Sequence, residues 1–288
     1  MSELKKEYVV WAYRLLLGRE PENMAIVNTY STVFRDTREL IWEFILSEEF
    51  QAKNKELKIS VMTPDCIPIP PSRLIDLVAG NLSILWFLEG GILAKQAILN
   101  LLEKNGFDFD QFSNVLDFGC GCGRVIRNWH SFSPNFYGTD YNLELIEWCK
   151  NNLTFCKFSI NNLEPPINYP DNKFDFIYAL SVFTHLPKTL QIPWLEEMRR
   201  ILKPNGVIFI SVHGNHYKNL LTLQEKQLFE QGELIVHQEE IAGSNTCNAF
   251  HPNQYLMNNF AKVMKVIDIV PEGALGNPYQ DAILLQKI

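Results

Sequence analysis

Three glycines alternate in Val115-Leu116-Asp117-Phe118-Gly119-Cys120-Gly121-Cys122-Gly123-Arg124, directly after an apolar run and directly before a helix-like stretch. Glycine at such positions lets a ligand lie against bare main chain, and a helix starting beyond them would offer its first amide groups as donors. The strand, turn and helix context that gives such a loop its meaning is present. Seventeen residues past Gly123, Asp140 closes the next apolar run in Phe136-Tyr137-Gly138-Thr139-Asp140. In a doubly wound sheet an acid there accepts hydrogen bonds from ribose hydroxyls. Its competing role is to cap the helix that begins near Asn142. Together the loop and the acid point to an adenosine-containing cofactor. A dinucleotide loop prefers the wider G-x-G-x-x-G, and apart from Arg124 no basic cluster meets a diphosphate here. An unphosphorylated cofactor is expected, with a nicotinamide dinucleotide as its rival.

The elements that must hold these residues follow from hydrophobic pattern. Short β-rich runs (115–118, 135–140, 154–160, 174–181 and 207–213) alternate with helical stretches around 125–129, 143–151 and 190–202. Such alternation predicts parallel strands with right-handed crossovers, an open α/β sheet. Segments 265–270 and 282–286, joined by a turn-rich stretch, read as an antiparallel hairpin closing one sheet edge. Residues 1–60 read as a helical module. Val9, Tyr13, Leu16 and Leu17 have helical spacing, Gly18 suits a left-handed cap, and Asp36 or Thr37 suits the start of a further helix. A proline-rich linker spans 61–71, and residues 72–288 form the main domain. Two helices over 72–105 lead into it, with a break or bend expected at Gly90-Gly91.

Composition narrows the class. The chain has 288 residues and 47% hydrophobic content, enough for a sizeable core without disulfide staples. Its net charge of −7 argues against nucleic acid or an anionic membrane as main partner. Six irregularly spaced cysteines read as reduced thiols, with no zinc-site spacing and no metal expected. Neither a signal peptide nor an uninterrupted apolar run of membrane-spanning length is visible, so a soluble, cytoplasmic protein is expected.

The motif VLDFGCGCGR, the acid in GTDYN, and the segments PDNKFDFIYALSVFTHL and EEMRRILKPNGVIFISVHG resemble the class I S-adenosylmethionine-dependent methyltransferases, in particular the small bacterial type. The resemblance covers about 105–288. It implies a Rossmann-like sheet of order 3-2-1-4-5-7-6 with strand 7 antiparallel, and S-adenosyl-L-methionine as cofactor. It places Gly119, Cys120, Gly121 and Gly123 along the methionine portion, with Asp117 near its ammonium group. Asp140 would hold the ribose and Tyr141 would lie against adenine. Asn161, Asn162 and Leu163 match the loop that contacts the adenine ring, although the family often has Asp there. Ala179 and Ser181 would face the methionine and its methyl group. The N-terminal YRLLLGREPE and ELIWEFILSEEF resemble a short helical module of unassigned function, which implies no chemistry; the helices themselves read as a bundle for packing or for a homodimer.

Methyl transfer is an in-line displacement that depends on alignment and on excluding water, and a hydroxyl acceptor adds a need for a base. The candidate bases are His185, His213 and His216, with His251 further along; each has a structural role as its competitor. The long segment 215–250 reads as a lid over the acceptor, with Trp86 and Phe87 as a facing wall. The expected activity is O- or N-methylation of a small molecule, a specialised metabolite or a sugar. A protein or peptide methyltransferase, or a non-catalytic cofactor-binding scaffold, is the alternative.

Overall fold

The computed structural model describes residues 4–54, 67–80 and 83–288. Cys66 and the first part of the proline-rich linker lie outside them. Two compact units meet in the chain at Glu89–Gly90. The first contains α1 (Lys6–Ala12, continued as a wider turn through Tyr13–Leu17), α2 (Met24–Val33), α3 (Thr37–Leu46), α4 (Glu48–Lys53) and α5 (Ser72–Ala79). Asp36 caps α3 by accepting from the amides of Arg38 and Glu39, and Gly18 closes the first helix at φ 64°. Val9, Tyr13, Leu17, Val27, Leu40 and Phe44 form its core.

The boundary differs from the one expected at the prolines. Residues after the linker are tied back to the N-terminal helices: Ser83 donates to Glu39, and Arg73 and Arg35 pair with Glu48 and Glu89. Trp86 and Phe87 therefore belong to the first unit. The long helix α6 (Ile84–Lys104) runs on into the second. It is unbroken at Gly90-Gly91; the glycines serve close packing instead. A β-carbon on Gly91 would lie 2.1 Å from the Arg124 carbonyl oxygen. α6 is also long and apolar enough to cross a membrane, by length and composition only, although no uninterrupted apolar run is visible in it. Its Ala94, Ala97, Ile98, Leu101 and Leu102 are buried.

The second unit carries five parallel strands, β1 (Asn114–Phe118), β2 (Asn135–Asp140), β3 (Cys156–Ile160), β4 (Phe174–Ala179) and β5 (Leu202–Val212). An inserted hairpin follows, β6 (Ile235–His237) and β7 (Asn248–Phe250), then β8 (Lys265–Val270) and β9 (Asp281–Gln286). The main sheet has the order β3-β2-β1-β4-β5-β9-β8, with β9 antiparallel to β5. With the inserted pair set aside, this is the expected 3-2-1-4-5-7-6 arrangement. Helices α7 (Leu143–Asn152), α8 (Lys188–Ile201) and α9 (Leu223–Glu230) also belong to the unit, as does a helical run from Asn253–Tyr255 through Ala261–Val263.

Alternation along the strands sets the two faces. Leu116, Phe118, Ile208 and Ile210 pack with Trp194 and Met198 of α8. Phe109 stacks on Trp129 at 4.5 Å on an aromatic layer with Phe136 and Phe176. The helix expected over 125–129 is only a 3₁₀ turn, Ile126–Trp129. Asn128 donates its side-chain amide to the Arg124 and Val125 carbonyls, and Ser131, Ser133 and Pro134 follow at once, so no further helical turn forms.

Candidate active site

β1, β2, β3, β4 and β5 end at the same edge of the sheet, where ligands of open α/β folds bind. Beyond β1 the loop glycines take φ of 74° at Gly119, 55° at Gly121 and 83° at Gly123, a path closed to most side chains. The Gly121 amide donates to Asp140 Oδ2 at 2.9 Å, and the Asn142 amide donates to Oδ1 at 2.9 Å. The second-strand acid thus ties loop to sheet, while the helix that follows is capped by Asn142, whose side chain accepts from the Glu144 and Leu145 amides. Each Asp140 carboxylate oxygen keeps a further lone pair for a ribose hydroxyl. Burial raises the Asp140 carboxyl above its ordinary range, against the main-chain donors that favour the anion.

Asp117 lies beneath the same loop and is 3% exposed. Trp129 Nε1 donates to Tyr178 Oη at 3.0 Å, and the Tyr178 hydroxyl bonds to Asp117. Burial pushes the Asp117 carboxyl up to about 8, opposed by that hydroxyl and by Arg124. Its Oδ2 has no hydrogen-bond partner among the described residues. A buried acceptor left in this state is what an amino-acid ammonium group would satisfy, so these residues fit S-adenosylmethionine. Arg124 turns away, donating to the Gly276 carbonyl at 3.1 Å and to Asn277. It offers no diphosphate seat at the loop.

The remaining cofactor candidates divide by environment. Cys120 is 4% exposed, with its sulfur 3.6 Å from the Gly121 carbonyl and its amide donating to the Thr139 carbonyl at 3.0 Å. The five described cysteines are all thiols. Tyr141 and Leu163 are exposed at the rim, as is Asn162. Asn161 is held locally: Oδ1 accepts from Thr139 at 2.8 Å and Nδ2 donates to the Asn162 carbonyl at 2.7 Å. Ala179 is fully buried. Ser181, just past β4, has φ 59°, a strained conformation for a serine that its neighbours hold in place. Its amide donates to Ser211 Oγ at 2.7 Å, and its hydroxyl accepts from Gln280 at 2.9 Å.

Gln280, on the turn before β9, had no signal in the sequence. Its amide nitrogen also stands 3.5 Å from His213 Nε2, while its oxygen accepts from Ser211 at 2.7 Å. His213 and His185 are 6.3 Å apart, ring to ring. His185 Nδ1 lies 2.7 Å from the Cys247 carbonyl, and a carbonyl only accepts. The proton is therefore on Nδ1, leaving Nε2 as the basic nitrogen. Burial holds His185 below the usual imidazole range and, with His185 nearby, pushes His213 down to about 3. His216 sits elsewhere, stacked on Tyr279 at 3.9 Å and 3.3 Å from Glu272. His251 is buried and faces Gln191 at 3.0 Å.

Segment 215–250 is folded. Thr222 and Glu225 form a capping box at α9, and Leu221, Phe229, Ile235 and Phe250 make a small core of their own with Tyr217. Tyr217, Leu221, Phe229 and Ile235, expected to line a lid, are thus spent on the segment itself, and Leu234 and Val236 join the main core. Leu220 and Leu223 stay exposed. The Tyr217 ring packs on His213 at 4.1 Å, which carries the insertion to the imidazole pair.

A family model described as a methyltransferase domain matches residues 93–260. An uncharacterised protein of Rickettsia prowazekii is 29% identical over 184 residues, 61% of this chain and 72% of that one. A sterol 24-C-methyltransferase of Neurospora crassa is 22% identical over 217 residues, and the match spans only 56% of that enzyme. Among solved structures, an S-adenosylmethionine-dependent methyltransferase from Mesorhizobium loti superposes with a TM-score of 0.50 at 12% identity. The superposition covers 66% of this chain and 97% of that one, and shows a shared fold.

Proposed function

The chain belongs to the methyltransferase-domain family and takes S-adenosylmethionine as cofactor, and from that premise we propose that it methylates an oxygen or nitrogen of a small molecule. The bound cofactor supplies an electrophilic methyl group on a sulfonium. Asp117 would hold the amino-acid end of the cofactor and Asp140 its ribose. Ser181, fixed by Ser211 and Gln280 just past β4, would shape the acceptor space. His185, with Nδ1–H bound to Cys247, presents Nε2 to receive the proton that an O–H or N–H acceptor must lose.

The observation that carries the oxygen or nitrogen reading is this tautomer: a basic nitrogen fixed beside the acceptor space has work when the nucleophile carries a proton. The relationship to a sterol C-methyltransferase favours a second reading, a carbon acceptor on an apolar body. The net charge of −7 supports a small-molecule acceptor over nucleic acid. The test incubates the protein with S-adenosylmethionine and metabolite pools and follows mass gain of one methyl group. A product methylated at oxygen or nitrogen supports the proposal. Methylation exclusively at carbon replaces it with the second reading.

A further inference from the structure

Residues 239–247 lie in the connection between the two strands of the inserted hairpin and are anchored on both sides of the cofactor crevice. On one side the Tyr141 hydroxyl donates to the Gly243 carbonyl at 2.9 Å. On the other, the Gly243 amide donates to the His185 carbonyl at 2.8 Å and the Lys188 amide donates to Glu239 at 2.6 Å. The Cys247 carbonyl takes the His185 Nδ1 proton at 2.7 Å. Tyr141 follows β2, whereas His185 and Lys188 follow β4. Since β1 lies between those strands, a segment joining their ends passes over the end of β1, where the glycine loop stands.

Gly243 reaches Tyr141 and Leu163 closely. It has φ +80°, and a β-carbon there would lie 2.9 Å from Leu163 Cδ1 and 3.3 Å from the Tyr141 ring. Within 239–247 Cys247 is the one buried residue. Hydrogen bonds, with little apolar burial, hold the segment down, and such segments open locally far more readily than the core.

We propose that residues 239–247 form a strap closed over the nucleoside half of the cofactor site, and that the Tyr141–Gly243 hydrogen bond governs how fast the spent cofactor leaves. The proposal rests on the crevice being the S-adenosylmethionine site. The strap grips His185 by its main-chain carbonyl and by its imidazole, so its closure also sets the ring that faces the acceptor.

The test uses the full chain and S-adenosylhomocysteine as probe. Stopped-flow dissociation is measured for wild type, Tyr141→Phe, which keeps the ring, and Gly243→Ala, which pushes the strap from Leu163. Both variants should release the probe at least about 5-fold faster, the factor that loss of one hydrogen bond of ordinary strength gives. Amide exchange across 239–247 should slow when the probe binds wild type. If calorimetry shows binding but neither variant speeds release and exchange is unchanged, the strap is wrong while the cofactor site stands. Faster exchange on binding would also overturn it, identifying a displaced plug. Absence of any binding heat would overturn both strap and site.

Discussion

Asp117 and Asp140 are both buried carboxyls at strand ends, yet their surroundings give them different tasks. Asp140 already accepts two main-chain amides, whereas Asp117 keeps one oxygen without a partner among the described residues. With its carboxyl pushed up to about 8, Asp117 is protonated at neutral pH in the cofactor-free protein. An ammonium group bound beside it would favour the anion, so binding there would expel a proton. Affinity for S-adenosylhomocysteine should therefore rise with pH until about 8 and level off above it. Calorimetry in buffers of different ionisation enthalpy should count close to one proton released at neutral pH. Affinity flat across this range would remove Asp117 from the ammonium site. The two acids and the glycine loop were legible in the sequence because each sits at the end of an apolar run, in fixed order. Gln280 was not, since nothing in a turn before the last strand announces that it will reach Ser181 and His213 across the sheet edge.

At the scale of elements, the parallel strands were readable because strands covered on both faces appear as apolar runs bounded by polar turns. The helix after the glycine loop and the break in α6 were misread for related reasons. Gly91 brings α6 onto the Arg124 main chain, and the segment beyond Arg124 is too short and too rich in serine and proline to form a helix. Gly91→Ala places a methyl group into main chain, and overpacking of this kind typically costs about 1–3 kcal/mol. A lowered melting temperature for the second unit checks this; an unchanged one would mean the helix shifts freely.

In the N-terminal unit, burial raises the Glu43 carboxyl to about 7, with Asp76 and Glu39 adding to it and Ser72 opposing. Its folded-state affinity for a proton exceeds the unfolded one, so the contribution of Glu43 to stability is full at acid pH and is lost as pH rises from about 4.5 to about 7. The loss should reach roughly 3 kcal/mol at most, by the usual conversion of such a shift. Glu43→Gln should abolish this slope in thermal unfolding of the unit between pH 5 and pH 8. An identical slope in the variant would show that the proton resides elsewhere.

For the whole molecule, the sheet order was foreseeable from strand–helix alternation and the family resemblance together. The role of 215–250 was not, because apolar residues at a sequence position do not reveal whether they line a pocket or pack on each other. Here Leu221, Phe229, Ile235 and Phe250 pack on each other, and the polar stretch 239–247 reaches the crevice instead. The proposed function requires that the strand-end crevice between the glycine loop and Asp140 receive the nucleoside of S-adenosylmethionine. Titration calorimetry of S-adenosylhomocysteine into wild type and Asp140→Ala tests it most directly. One site per chain is expected in the wild type, weakened in the variant by about 1–3 kcal/mol, as when a charged acceptor of ligand hydroxyls is removed. Equal affinity in the two proteins, or NADH binding in place of the nucleoside, would contradict it.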